Sequence, residues 1–245
     1  VGEFKTFRVL SLIFLVVCSV CGIFVKNPPA DFAPVNVAVK NAAKAPVVHE
    51  YSPMEVLRKP QFYIVMFTFM FACMGGLMMI GFAKPIAVDK GLAETATVGV
   101  LAITLCNSLG RLFWGFVSDK IGRKYTIITL LTGSAIMSLL VNSAKGNLIF
   151  VLIGMIGFFY GGFLSVFPSL TADLFGPKNM ATNYGMVLAG FGLGAVAASY
   201  IAGHYKNLAA TDINLMFPAF VIAAGCAVLG IILMLFLKQA PKEKA

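Results

Sequence analysis

No aspartate, glutamate or histidine lies in any of the long apolar runs of this 245-residue chain. That absence argues against an intramembrane enzyme, which would need a nucleophile–base pair or metal ligands inside its spans. No Walker-type phosphate loop occurs, which argues against a primary pump. Cysteine is sparse and badly placed for a disulfide framework or a zinc site. Cys18, Cys21, Cys73, Cys106 and Cys226 all fall within apolar runs, where the redox-like spacing of Cys18 and Cys21 reads as packing. Charge of either sign is scarce too, at 12% of residues where a soluble domain carries about 25%. No catalytic residue, metal site or cofactor is expected.

What remains is apolar. Hydrophobic residues make up 59% of the chain and mean hydropathy is +0.90. Seven runs are long enough to cross a bilayer as helices: 9–25, 62–83, 95–117, 125–144, 147–167, 183–203 and 215–237. Their continuous apolar character excludes a transmembrane barrel, whose strands alternate every second residue. The expected fold is an all-α integral membrane protein, a polytopic helical bundle in the lipid bilayer. The chain opens on Val1, with Glu3, Lys5 and Arg8 just ahead of the first run and no leader layout, so it reads as the back part of something longer.

The net charge of +9 raises nucleic acid as a partner, but its distribution points to topology. Twelve Lys and Arg fall in the loops 26–61, 118–124 and 168–182 and the tail from Lys238, against six on the other side. This positive-inside bias expects those loops and the C-terminus in the cytoplasm, in a plasma or inner membrane, with no nucleic-acid partner. Residues 26–61, with Pro28, Pro29, Pro34, Pro46 and Pro53, suit a flexible central linker with a short surface helix near Ser52–Arg58. The expected organisation is a lone helix in 1–25, that linker, a six-helix unit over 62–238 and a tail over 239–245. Five further spans ahead of Val1 would complete the six-plus-six layout of a secondary transporter. Gly157, Gly161, Gly162, Gly190, Gly192 and Gly194 are expected to let helices approach closely.

Arg111 stands inside the run 95–117 with no acid in that run to neutralise it. A cation at bilayer depth costs about 2.5–3.5 kcal/mol on insertion scales, so it usually faces a protein-lined cavity. Thr104, Asn107, Ser108 and Arg111 recur at helical spacing and form one polar stripe. The stripe points to an anion site in which the guanidinium fork grips a carboxylate and Asn107 donates a further hydrogen bond. Snorkelling of Arg111 to the surface and interhelical bonding of Asn107 are the alternatives. Tyr160 and Phe191 are candidates for the apolar wall of the pocket, or else packing residues.

The segment Gly110 to Lys124 places Gly115, Asp119, Gly122, Arg123 and Lys124 between two runs. Asp119 and Arg123 can bond across a short loop, and Gly122 permits a tight turn. The pattern resembles the signature loop of the major facilitator superfamily, which implies a conformational latch at these five positions. Tyr160 to Gly176 and the Asn183-Tyr184-Gly185 opening of the next run resemble the oxalate:formate antiporter branch, relatives of the monocarboxylate transporters. The resemblance implies the C-terminal six-helix half of such a transporter plus one preceding helix, with a missing N-terminal half as partner. It also implies that the Arg111 helix holds a carboxylate. Two departures bear on the substrate. Phe191 stands where oxalate-exchanging relatives carry a lysine, which favours a small monocarboxylate such as lactate, pyruvate or formate over oxalate. Asn107 stands where animal-type monocarboxylate carriers place an aspartate, which puts proton coupling through that position in doubt. Symport and antiport both stay open. An oxalate:formate-type exchanger, another organic-anion carrier and a non-transporting sensor are the remaining readings.

Overall fold

The computed structural model describes residues 3–24, 49–89, 96–141, 143–144, 148–209 and 213–238. Most of the central linker (25–48) and the tail 239–245 lie outside the described residues. The chain divides into two units, Val1–Pro46 with Ala245, and Val47–Lys244. In the first, α1 (Glu3–Phe24) is a 22-residue apolar helix, about 33 Å at 1.5 Å per residue. That length spans a hydrocarbon core of about 30 Å.

The second unit holds α2 (Pro53–Leu57), α3 (Pro60–Asp89), α4 (Ala96–Ile121), α5 (Arg123–Val141), α6 (Leu148–Phe175) and α7 (Met180–Ala209). A 3-10 turn (Ile213–Met216) then leads into α8 (Phe217–Phe236). All regular structure among the described residues is helical, as expected where lipid forces each backbone group to be satisfied within its own segment. Six helices, α1, α3, α5, α6, α7 and α8, are long and apolar enough to cross a membrane. At 26 residues α4, which carries Asn107 and Arg111, is long enough as well. Several helices outrun their apolar runs. Thus α6 continues through Pro168 to Phe175, because backbone hydrogen bonding does not stop where the side chains turn polar.

The most buried of these helices is α6, which packs against α3, α4 and α5, while α7 lies chiefly against α3. Phe69 of α3 stacks on Phe167 of α6 with ring centroids 4.3 Å apart, at the centre of one apolar cluster. Met78, Met79 and Ile153 belong to a second. Glycine sets the two tightest approaches. A Cβ on Gly110 would collide with the Phe158 carbonyl, and one on Gly161 with the Asn107 carbonyl, so α4 and α6 meet backbone to backbone. Gly190 and Gly194 do the same for α7 against the Met66 and Met70 carbonyls of α3. Gly192, expected among these packing residues, instead faces open space.

The described end of the linker holds α2 where a short surface helix is expected, and it is tied to the bundle. The Tyr51 N–H donates to the Phe175 carbonyl at 3.0 Å, and its carbonyl accepts from Asn179 and Asn183 at 3.0 and 3.3 Å. The Glu50 carboxylate accepts from the Lys178 N–H at 2.9 Å. The Ser52 N–H and hydroxyl both donate to Glu55 and hold its carboxyl below the usual value. This support for α2 is present above the ordinary Glu pKa and fades as pH falls through the lowered one. Gly176 and Gly122 both have positive φ, 84° and 91°, but only Gly176 is crowded, by Glu50. Gly122→Ala is expected to cost about 1–2 kcal/mol of backbone strain. Gly176→Ala should cost more, because it also displaces Glu50. Thermal unfolding of the two variants in detergent checks the order.

Candidate functional site

One face of α4 carries the polar stripe. Thr104, Ser108 and Arg111 are exposed and Asn107 is half-buried toward α6. The close approach through Gly161 and Gly157 brings Asn107 to the α6 backbone, where its Nδ2 donates to the Gly157 carbonyl at 3.3 Å. One turn on, Arg111 Nε donates to Asn107 Oδ1, also at 3.3 Å. The orientation of the amide follows from its partners, since a carbonyl only accepts and a guanidinium only donates. Ser108 is engaged locally, its hydroxyl donating to the Thr104 carbonyl at 3.1 Å. Among the described residues no carboxylate pairs with Arg111. The arrangement leaves an exposed cation held at Nε, with no bond to its terminal amino groups among the described residues.

The expected wall residues separate. Tyr160, on α6, is only 7% exposed and packs its ring on Gly76 of α3, yet it lies within electrostatic reach of Arg111. Phe191 is half-buried and tilts against Phe69 at 6.0 Å, so its ring takes part in α3–α7 packing. The Asn183-Tyr184-Gly185 motif contributes a group that the sequence reading assigned no role. Tyr184 shares the electrostatic neighbourhood of Arg111 and stacks on Phe69 at 6.4 Å. Its period on α7 marks it as an ordinary packing position. Only the folding of α7 across α3 brings it against Phe69.

A second polar cluster lies at the α4–α5 turn. Gly122 reverses the chain at φ 91°, and Arg123 then bonds three groups. It pairs with Asp119 at 2.6 Å and Asp173 at 3.3 Å, and donates to the Ser118 hydroxyl, which itself donates to the Gly115 carbonyl at 2.7 Å. Lys124 points elsewhere. Its Nζ donates to the Leu235 and Leu237 carbonyls at 3.0 and 2.7 Å, capping the C-terminal end of α8 where a cation complements the helix dipole. Gly115 has room for a side chain, with Ser165 at ordinary contact distance. Asp173 and Ser118 were not singled out from sequence. Asp173 lies 50 residues beyond Arg123, past the end of an apolar run, and no local spacing links the two.

The family model for the Major Facilitator Superfamily matches residues 77–245. An uncharacterized MFS-type transporter of Escherichia coli, YhjX, is 34% identical over 80% of this chain and 48% of its own length. The oxalate:formate antiporter of Oxalobacter formigenes is 36% identical over 61% of the chain and 39% of its own length. Apicoplast pyruvate carrier 1 of Toxoplasma gondii is 35% identical over 54% of the chain and 26% of its own length. The chain thus spans about half the length, or less, of these curated relatives.

Proposed function

Because this chain belongs to the major facilitator superfamily, a family of membrane carriers rather than enzymes, we propose that it forms the C-terminal half of a secondary transporter for a small organic anion. The substrate class is a monocarboxylate such as lactate, pyruvate or formate. The observation that carries this reading is the single cation Arg111, held by the amide Asn107 and paired with no carboxylate among the described residues. One fork of donors matches one carboxylate. Relatives named for oxalate, formate and pyruvate are consistent with an organic acid.

In this mechanism an N-terminal half supplies the facing wall, and the two halves rock about the bound anion. α1 is the last helix of that other half, and the segment 26–61 joins the halves on the cytoplasmic side. The turn at Gly122 and the C-terminus lie on that side too. Tyr160 and Tyr184 line the approach to Arg111, with Phe191 supporting them through Phe69. Gly115, Asp119, Gly122, Arg123 and Lys124 form the latch of one state, with Asp173 and Ser118 as partners.

Radiolabelled uptake of lactate, pyruvate, formate and oxalate into liposomes by the complete carrier tests the reading. Saturable monocarboxylate uptake is the expected result. Oxalate exchange would reject the Phe191 argument, and no flux of any acid would favour a sensor or another substrate. For the latch, Arg123→Gln is expected to lower Vmax about threefold or more with little change in KM. Its carboxylate partners are more than half exposed, and exposed pairs contribute only about 0.2–1 kcal/mol each. A rise in KM of the same size would move Arg123 into the substrate site.

A further inference from the structure

We infer that Asn107 is a positioning residue, which aims Arg111; the inference rests on the reading of Arg111 as the anion site. Each end of its amide has a protein partner, with one Nδ2 hydrogen left over. Nδ2 donates to the Gly157 carbonyl and Oδ1 accepts from Arg111 Nε, so α6 backbone, amide and guanidinium form one chain of hydrogen bonds. The consequence is geometric. A bond at Nε fixes the plane of the guanidinium and leaves both terminal amino groups to meet two oxygens side by side. Without it, a long side chain loses rotamer freedom on each binding event, and that loss appears as weaker affinity.

The anchor lies where the helices are closest. Gly161 seats the Asn107 backbone carbonyl against α6, and a Cβ on Gly157 would stand 3.0 Å from Ile103. The amide is also neutral, so it orients the cation without competing with the anion for its charge. A carboxylate here would do both. Among the described residues, the titratable groups toward Arg111 from the packed helices are Tyr160 of α6 and Tyr184 of α7, with Cys73 of α3 beside them, and Cys106 precedes Asn107 on α4 itself. None is expected to change charge between about pH 5 and 7.5.

The test uses the complete carrier in liposomes, with Asn107→Ala and Asn107→Asp. Asn107→Ala is expected to raise KM about tenfold at nearly unchanged Vmax, the effect of losing one hydrogen bond to a charged group. In an Arg111→Lys background, whose amine lacks the Nε donor, Asn107→Ala should add nothing. Asn107→Asp should transport poorly at neutral pH and recover as pH falls, because only the protonated acid supplies both a donor to Gly157 and an acceptor for Arg111. The wild type should lack that profile. A readout independent of transport is the rate at which phenylglyoxal modifies Arg111, followed by mass spectrometry. Asn107→Ala should raise it severalfold. An unchanged KM or an unchanged modification rate overturns the positioning role. Faster modification in a carrier that moves no acid would support the positioning role while rejecting the transport reading.

Discussion

Arg111→Gln in the complete carrier is expected to abolish saturable uptake of monocarboxylates while leaving the protein folded. A bidentate guanidinium–carboxylate pair makes two hydrogen bonds to charged groups, each contributing about 1.5–3 kcal/mol. Losing both is a change of about 3 kcal/mol or more, over a hundredfold in affinity. Folding should survive because the terminal amino groups have no protein partner among the described residues, and glutamine leaves no unpaired buried charge. Initial uptake rates against substrate concentration, with melting in detergent as the control, check both halves of the expectation. Uptake unchanged by the substitution would make Arg111 structural and move the anion site elsewhere.

The second large effect is expected at a residue that carries no side chain. Gly161→Val should lower the unfolding midpoint by roughly 2–12 °C and weaken substrate affinity together. The added Cβ would land on the Asn107 carbonyl and within 3.2 Å of the Arg111 amide nitrogen. Backbone cannot rotate away as a side chain can, so α4 must move. Overpacking of this kind costs about 1–3 kcal/mol, and about 1 kcal/mol corresponds to roughly 2–4 °C in a chain of this size. Moving α4 off α6 also breaks the Asn107–Gly157 bond that supports Arg111. Gly81→Ala, at a glycine with nothing within 4 Å, is the control and should melt near the wild type. Equal melting of the two variants would show that the α4–α6 approach is not tight.

Sequence alone carried the fold class, and the reason is the solvent. In a bilayer an apolar run of about 20 residues has few options besides a helix, so composition and run length determined an all-helical membrane protein. The same logic singled out Arg111, because a lone cation among apolar residues is conspicuous by its cost. Asn107 followed from a spacing of four along one helix. The turn at Gly122 and the Asp119–Arg123 pair were legible for the same local reason.

Partners from other helices were not legible. Asp173 reaches Arg123 across 50 residues, Gly157 meets Asn107 across another 50, and Lys124 caps α8 from 111 and 113 residues away. None of these pairs leaves a periodic trace, because what joins them is the packing of one helix on another. Linker composition was silent in a related way. Proline and alanine say nothing of the Tyr51 backbone bonding to Phe175, Asn179 and Asn183. The sequence by itself determined which segments are apolar helices and which one carries the lone cation. Tertiary structure decided what that cation touches, since backbone-to-backbone contact at Gly161 and Gly110 sets the distance between α4 and α6 and so the reach of every side chain between them.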